Sequence, residues 1–192
     1  PGSLLILIGI GAERQLPTIV SRCQVIRFAP LPLNVAAELL RDQGIDEARA
    51  ERLARLGGGS IGRALDLADD DLWSFRGELI AELAKAKPDT VRLGSRWMKF
   101  VEEAGKEASH QRRRAALTIH LLVEVLNRAM NASVGAGDDG EDREAVQALA
   151  NRLGTERLLR LIDRCFDAEH HIDRRVQLVL AVEALADAFA TS

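Results

Sequence analysis

Leu16-Pro17-Thr18-Ile19-Val20-Ser21-Arg22-Cys23, set shortly after the aliphatic run Leu4-Leu5-Ile6-Leu7-Ile8, is the stretch on which the reading of this chain turns. An unbroken run of large aliphatics predicts a strand buried on both faces of a sheet. Gly9 to Gln15 leads away from it. Pro17 suits the first turn of a short helix, where an N–H would have no intrahelical partner. Gln24-Val25-Ile26-Arg27-Phe28 then alternates polar and apolar, the pattern of a second strand, and Pro30 stops it. A short helix thus hands Arg22, flanked by two small residues, to the rim of a sheet. Taken alone, such an arginine also reads as an ordinary surface cation beside a carboxylate.

The bulk numbers set the frame. A length of 192 residues suits one or two domains. Apolar residues reach 47%, ample for a core, and charged residues 29%, ample for a solvated surface. Aromatics are only 4% and tyrosine is absent, which favours helices packed on aliphatic side chains. A net charge of −3 argues against a protein that coats nucleic acid, which needs a strongly basic face. Cys23 and Cys165 are the only cysteines and lie far apart, so neither a disulfide framework nor a zinc site is expected. Both are predicted to be small buried residues in a reducing cytosol. The opening apolar run is too short to cross a bilayer and has no positive region before it, so the expected location is cytoplasmic, without a membrane. A strand at the start needs sheet neighbours, so the chain is expected to be the later part of a longer protein.

Beyond the second strand the pattern is helical. Pro30-Leu31-Pro32 is a stiff linker. Asn34 can cap a helix running to Gly44, and Asp46 a second that stops at Gly57-Gly58-Gly59. Ser60 can cap a third carrying Ile61, Ala64, Leu65 and Ala68. These three make a small satellite domain that could turn about the proline linker. Leu72 to Leu83, Pro88 to Val101 and Ala115 to Met130 continue at helical spacing, the last apolar nearly all round and therefore buried by its own domain or by a partner. Gly135 to Gly140 reads as an acidic loop. Gly154 ends a helix begun near Ala145, Thr155 caps the next, and a last helix carries Ile172 through Phe189.

A strand, then Leu-Pro-x-Ile-x-Ser-Arg-Cys, then a short strand resembles the late part of the nucleotide-binding domain in the clamp-loader branch of the AAA+ ATPases. That branch's serine-arginine-cysteine triplet stands here as Ser21-Arg22-Cys23. The resemblance implies that Arg22 is an arginine finger, the catalytic contribution of this chain, inserted in trans into a neighbouring subunit's ATP site. A permanently charged planar guanidinium, with its fork of donors, suits phosphate oxygens. Such a finger is worth roughly 10³–10⁵ in rate in related phosphoryl-transfer enzymes. The helices after Pro30 resemble the family's lid, with Gly59-Ser60-Ile61-Gly62-Arg63-Ala64-Leu65 as the matching stretch. The family's motor subunits carry a sensor arginine where Gly62 stands, and Arg63 is about 100° further round the helix. They carry a polar sensor at the strand end, where this chain reads Ile8-Gly9-Ile10-Gly11. Asp173-Arg174-Arg175-Val176-Gln177-Leu178-Val179-Leu180 resembles, more weakly, the closing helix of the clamp-loader collar.

The implied fold is mainly α, with a remnant of the AAA+ α/β sheet over 1–29, a three-helix lid over 30–71 and an all-α helical-bundle collar over 72–192. The implied role is that of a subunit not catalytic alone within a DNA polymerase holoenzyme, a nucleotidyltransferase. It would bind no cofactor itself, ATP and Mg being held by the neighbour. Implied partners are the motor subunits (gamma or tau) and the delta subunit, with the sliding clamp and primer-template DNA reached indirectly. Two alternatives stand beside it: an ATP-hydrolysing gamma or tau subunit, and a non-catalytic helical adaptor.

Other candidates are weaker. Glu169-His170-His171 with Asp173 invites a metal, but adjacent helical residues point about 100° apart. His120 reads as a hydrogen-bonded core residue, and Arg112-Arg113-Arg114 as a solvated helix face or a contact for DNA or an acidic partner. No glycine-rich phosphate loop with its lysine occurs.

Overall fold

The computed structural model of the chain describes residues 3–9, 11–137, 140 and 142–190, the Arg14 side chain excepted. Among these the structure is mainly helical, with nine α-helices, one short 3-10 turn at Ala12–Arg14 and no strand. Ile10, part of the expected sensor region, and Asp138 and Asp139 of the expected acidic loop lie outside the described residues.

The two expected strands are therefore corrected. Residues 4–8 and 24–28 take no regular structure, and Leu4 to Ile8 are 57% to 97% exposed. A strand exists only through ladder hydrogen bonds to another strand, and neither stretch finds one among the described residues. Cys23 is corrected with them: without a sheet to cover it, its thiol is exposed.

The chain divides into two compact units, residues 1–60 and 61–192. The first contains α1 (Pro17–Val20), α2 (Leu33–Asp42) and α3 (Glu47–Gly57). Buried alanines at 36, 37, 50 and 54, with Leu40 and Leu53 between them, let α2 and α3 pack closely as a helical hairpin. Helix α2 starts one residue before the expected cap, with Pro32 at the boundary, whereas Asp46 caps α3 as expected by accepting from the Arg49 N–H at 3.1 Å.

The second unit contains α4 (Ile61–Asp66), α5 (Asp70–Leu83), α6 (Thr90–Glu102), α7 (Ala108–Ser133), α8 (Arg143–Asp173) and α9 (Leu178–Ala188). Helix α8 is broken where the sequence predicts a stop, at Gly154 with φ 68° and ψ 165°. Helix α7 is buried along Ala115, Ile119, Leu122, Val125, Leu126 and Ala129, and its cover comes from α5, α6, α8 and α9 of the same chain. Phe75 stacks on Phe100 with centroids 4.3 Å apart, and Trp97 tilts against Phe75 at 6.3 Å. These rings concentrate buried apolar area where α5 meets α6.

One charged residue is sunk into this bundle. Arg76 of α5 is 3% exposed and pairs with Glu124 of α7 at 3.1 Å and with Asp142 before α8. Arg128 adds a second cation, 3.5 Å from Glu124 and 3.8 Å from Asp142. A cation this deep is tolerable only with such partners. The Arg76 guanidinium also lies over the Trp73 ring, 5.3 Å from its centroid.

Helices α2 and α8 end alike. The Gly44 and Ile45 amides bond back to Arg41 and Leu40, and those of Arg175 and Val176 to Ile172 and His171, the double closure of a Schellman turn. Its left-handed residue is Gly44 (φ 86°) in one and Arg175 (φ 61°) in the other. The expected continuous helix through residues 173–180 is thereby corrected: α8 stops at Asp173, and α9 starts at Leu178.

Candidate functional site

Helix α1 is one turn built from a pattern that needs little else. Leu16 is extended at its start and Pro17 occupies the first helical position. The Ile19 and Val20 amides bond to the Leu16 carbonyl at 2.9 and 3.1 Å. The triplet that follows is equally occupied along its backbone: Ser21 N–H donates to Pro17 at 2.9 Å, Arg22 N–H to Ile19 at 3.1 Å and Cys23 N–H to Val20 at 3.2 Å. The Ser21 hydroxyl turns back to the Thr18 carbonyl at 3.4 Å. With the main chain satisfied, the three side chains are left at the surface. Among the described residues Arg22 enters no ion pair, so its donors face solvent. An open cleft runs beside the turn, and Ile8, Ile19, Cys23 and Phe28 are among its lining.

The other positions singled out in the sequence lie as follows. Gly9 and Gly62 are exposed and offer no side chain to a nucleotide. Arg63 is exposed at the start of α4, and its charge is felt by Glu169 of α8. Glu169 is half-buried, and its carboxyl is pushed up by that burial, with His120 and Arg63 opposing the shift and Asp173 adding to it. His120 thus belongs to an electrostatic cluster joining α4, α7 and α8, which sequence spacing could not show. His170 and His171 are exposed, and among the described residues no group of three or more His, Cys, Asp or Glu side chains is placed to hold a metal ion.

The arginine run is largely spent inside the unit. Arg113 grips Asp66 at the end of α4, with Nε 2.8 Å from Oδ2 and Nη2 on the other oxygen. Arg114 lies over the Phe100 ring at 4.8 Å and reaches the Phe100 carbonyl at 3.3 Å and Asp69 at 3.4 Å. The basic run was legible; its acidic partners, more than 40 residues away, were not. Cys165 is buried as expected, and burial pushes its thiol up to about 12, with the Glu169 charge adding to the shift.

No protein-family profile and no curated protein matches this chain. No helix among the described residues is long and apolar enough to cross a membrane.

Proposed function

We propose that this chain acts as a delta-prime-like subunit of the bacterial DNA polymerase III clamp loader, presenting Arg22 to the ATP of an adjacent motor subunit. The observation that carries the reading is the Arg22 side chain, exposed and, among the described residues, in no ion pair, on a turn whose amides from Ile19 to Cys23 are hydrogen-bonded. Such a guanidinium is free to meet another chain's phosphates without first breaking a bond of its own. Glycine at positions 9 and 62 supports a subunit that does not hydrolyse ATP itself, because neither can orient a water or touch a phosphate through a side chain. On this reading ATP and Mg belong to the neighbouring gamma or tau subunit. On the same reading the helices from 72 onward hold the ring together, and the α2–α3 hairpin stands where the family has its lid. Closure on ATP draws the two subunits together, and hydrolysis releases the sliding clamp onto primed DNA.

The test is the ATPase rate of the reconstituted loader with clamp and primed DNA at saturation. Arg22→Ala is expected to leave assembly intact and lower the rate by at least about tenfold, a threshold set well under the roughly 10³–10⁵ that fingers contribute. Arg22→Lys is expected to restore little of it, since an ammonium cannot supply the bidentate fork. An unchanged rate in Arg22→Ala refutes the finger role.

A further inference from the structure

We propose that Pro30-Leu31 and Gly59 form a strap that ties the two open ends of the α2–α3 hairpin together, so that residues 31–59 move as one rigid body. The lengths permit it: at 1.5 Å per residue the 10 residues of α2 and the 11 of α3 span about 15 and 16 Å, so their far ends lie side by side. The Leu31 N–H donates to the Gly59 carbonyl at 3.0 Å. The approach is close enough that a Cβ on Gly59 would sit 2.6 Å from the Pro30 Cβ and 2.8 Å from both the nitrogen and the oxygen of Leu31. Gly59 also has φ +80°, where a side chain is strained in any case.

The other end is closed by the turn at 43–46 and by the Arg41–Glu47 ion pair, so the hairpin is shut at both ends around Leu40 and Leu53. Pro30 and Pro32 fix φ on either side of Leu31, which lowers the entropy lost in closing the strap. The proline stretch is thus a fastening, not the free swivel that its sequence suggests. This holds whatever Arg22 does.

Amide hydrogen exchange on the full chain tests it. In the unmodified protein the Leu31 amide is expected to exchange within about threefold of the intrinsic-rate-corrected Leu40 amide, both opening with the hairpin. Gly59→Ala should raise the Leu31 to Leu40 ratio by about tenfold, the loss of one hydrogen-bonded contact of ~1.4 kcal/mol. Gly58→Ala is the control. Its φ is also positive, +57°, but nothing lies within 4 Å of a Cβ there. It should speed both amides together and leave the ratio alone. A Leu31 amide exchanging at the unstructured rate while Leu40 is protected overturns the strap, with no substitution needed. So does a Gly59→Ala ratio that does not move.

Discussion

Replacing Arg76 by methionine isolates the charged knot that joins α5, α7 and the start of α8. Methionine keeps much of the stem's length but removes the guanidinium, and with it both the charge and the contact over the Trp73 ring. Glu124 and Asp142 then lose their nearest cation and, among the described residues, keep Arg128 at 3.5 and 3.8 Å. Removing one member of a fully buried pair costs about 3–5 kcal/mol. Here the carboxylate side chains retain 27% and 24% exposure, so solvent recovers part of that. The buried Nε of Arg76 has no hydrogen-bond partner among the described residues, and removing it relieves a small penalty. The expected loss is therefore about 2–3 kcal/mol, or roughly 5–10 °C in melting temperature for a chain of this size. Urea unfolding at pH 7, followed by circular dichroism, measures it. A cycle with Asp142→Asn should return a coupling of about 1–2 kcal/mol. A loss below about 0.5 kcal/mol, the scatter of an ordinary surface substitution, or a coupling of zero refutes the account.

Two further outcomes follow from the fold. A thiol reagent at pH 8 should label Cys23 rapidly and Cys165 only on unfolding, because Cys165 is buried with its thiol pushed up to about 12. Two equally fast thiols in the native protein would contradict the burial of α8. Arg175→Gly should stabilise the second unit by about 0.5–1 kcal/mol, since glycine adopts the left-handed φ of 61° without the side-chain penalty. A destabilised variant in urea unfolding would show that the Arg175 side chain contributes more than the strain costs.

Helices were legible in this sequence wherever a local signal carried them. Asp46 announces α3, Gly44 and the Gly57-Gly58-Gly59 run announce the ends of α2 and α3, and Gly154 announces the break in α8, because capping and left-handed turns depend on neighbours a few residues away. The turn that presents Arg22 was legible for the same reason: Pro17 opens it and its bonds reach back no further than four residues. Where the same turn is made by arginine, at 175, no residue type advertises it, and the helix was read straight through.

By itself, then, the sequence determined a chain of short and long helices, the Asp46 cap, the glycine stops and a small exposed-arginine turn, all of them contacts within reach of one or two helical turns. Only the tertiary structure decided where Arg113, Arg114 and Arg76 find their carboxylates, that His120 and Arg63 share the field of Glu169, and that Leu31 meets Gly59. It also decided that Leu4 to Ile8 form no strand here, because a strand is defined by its partner and no local pattern can supply one.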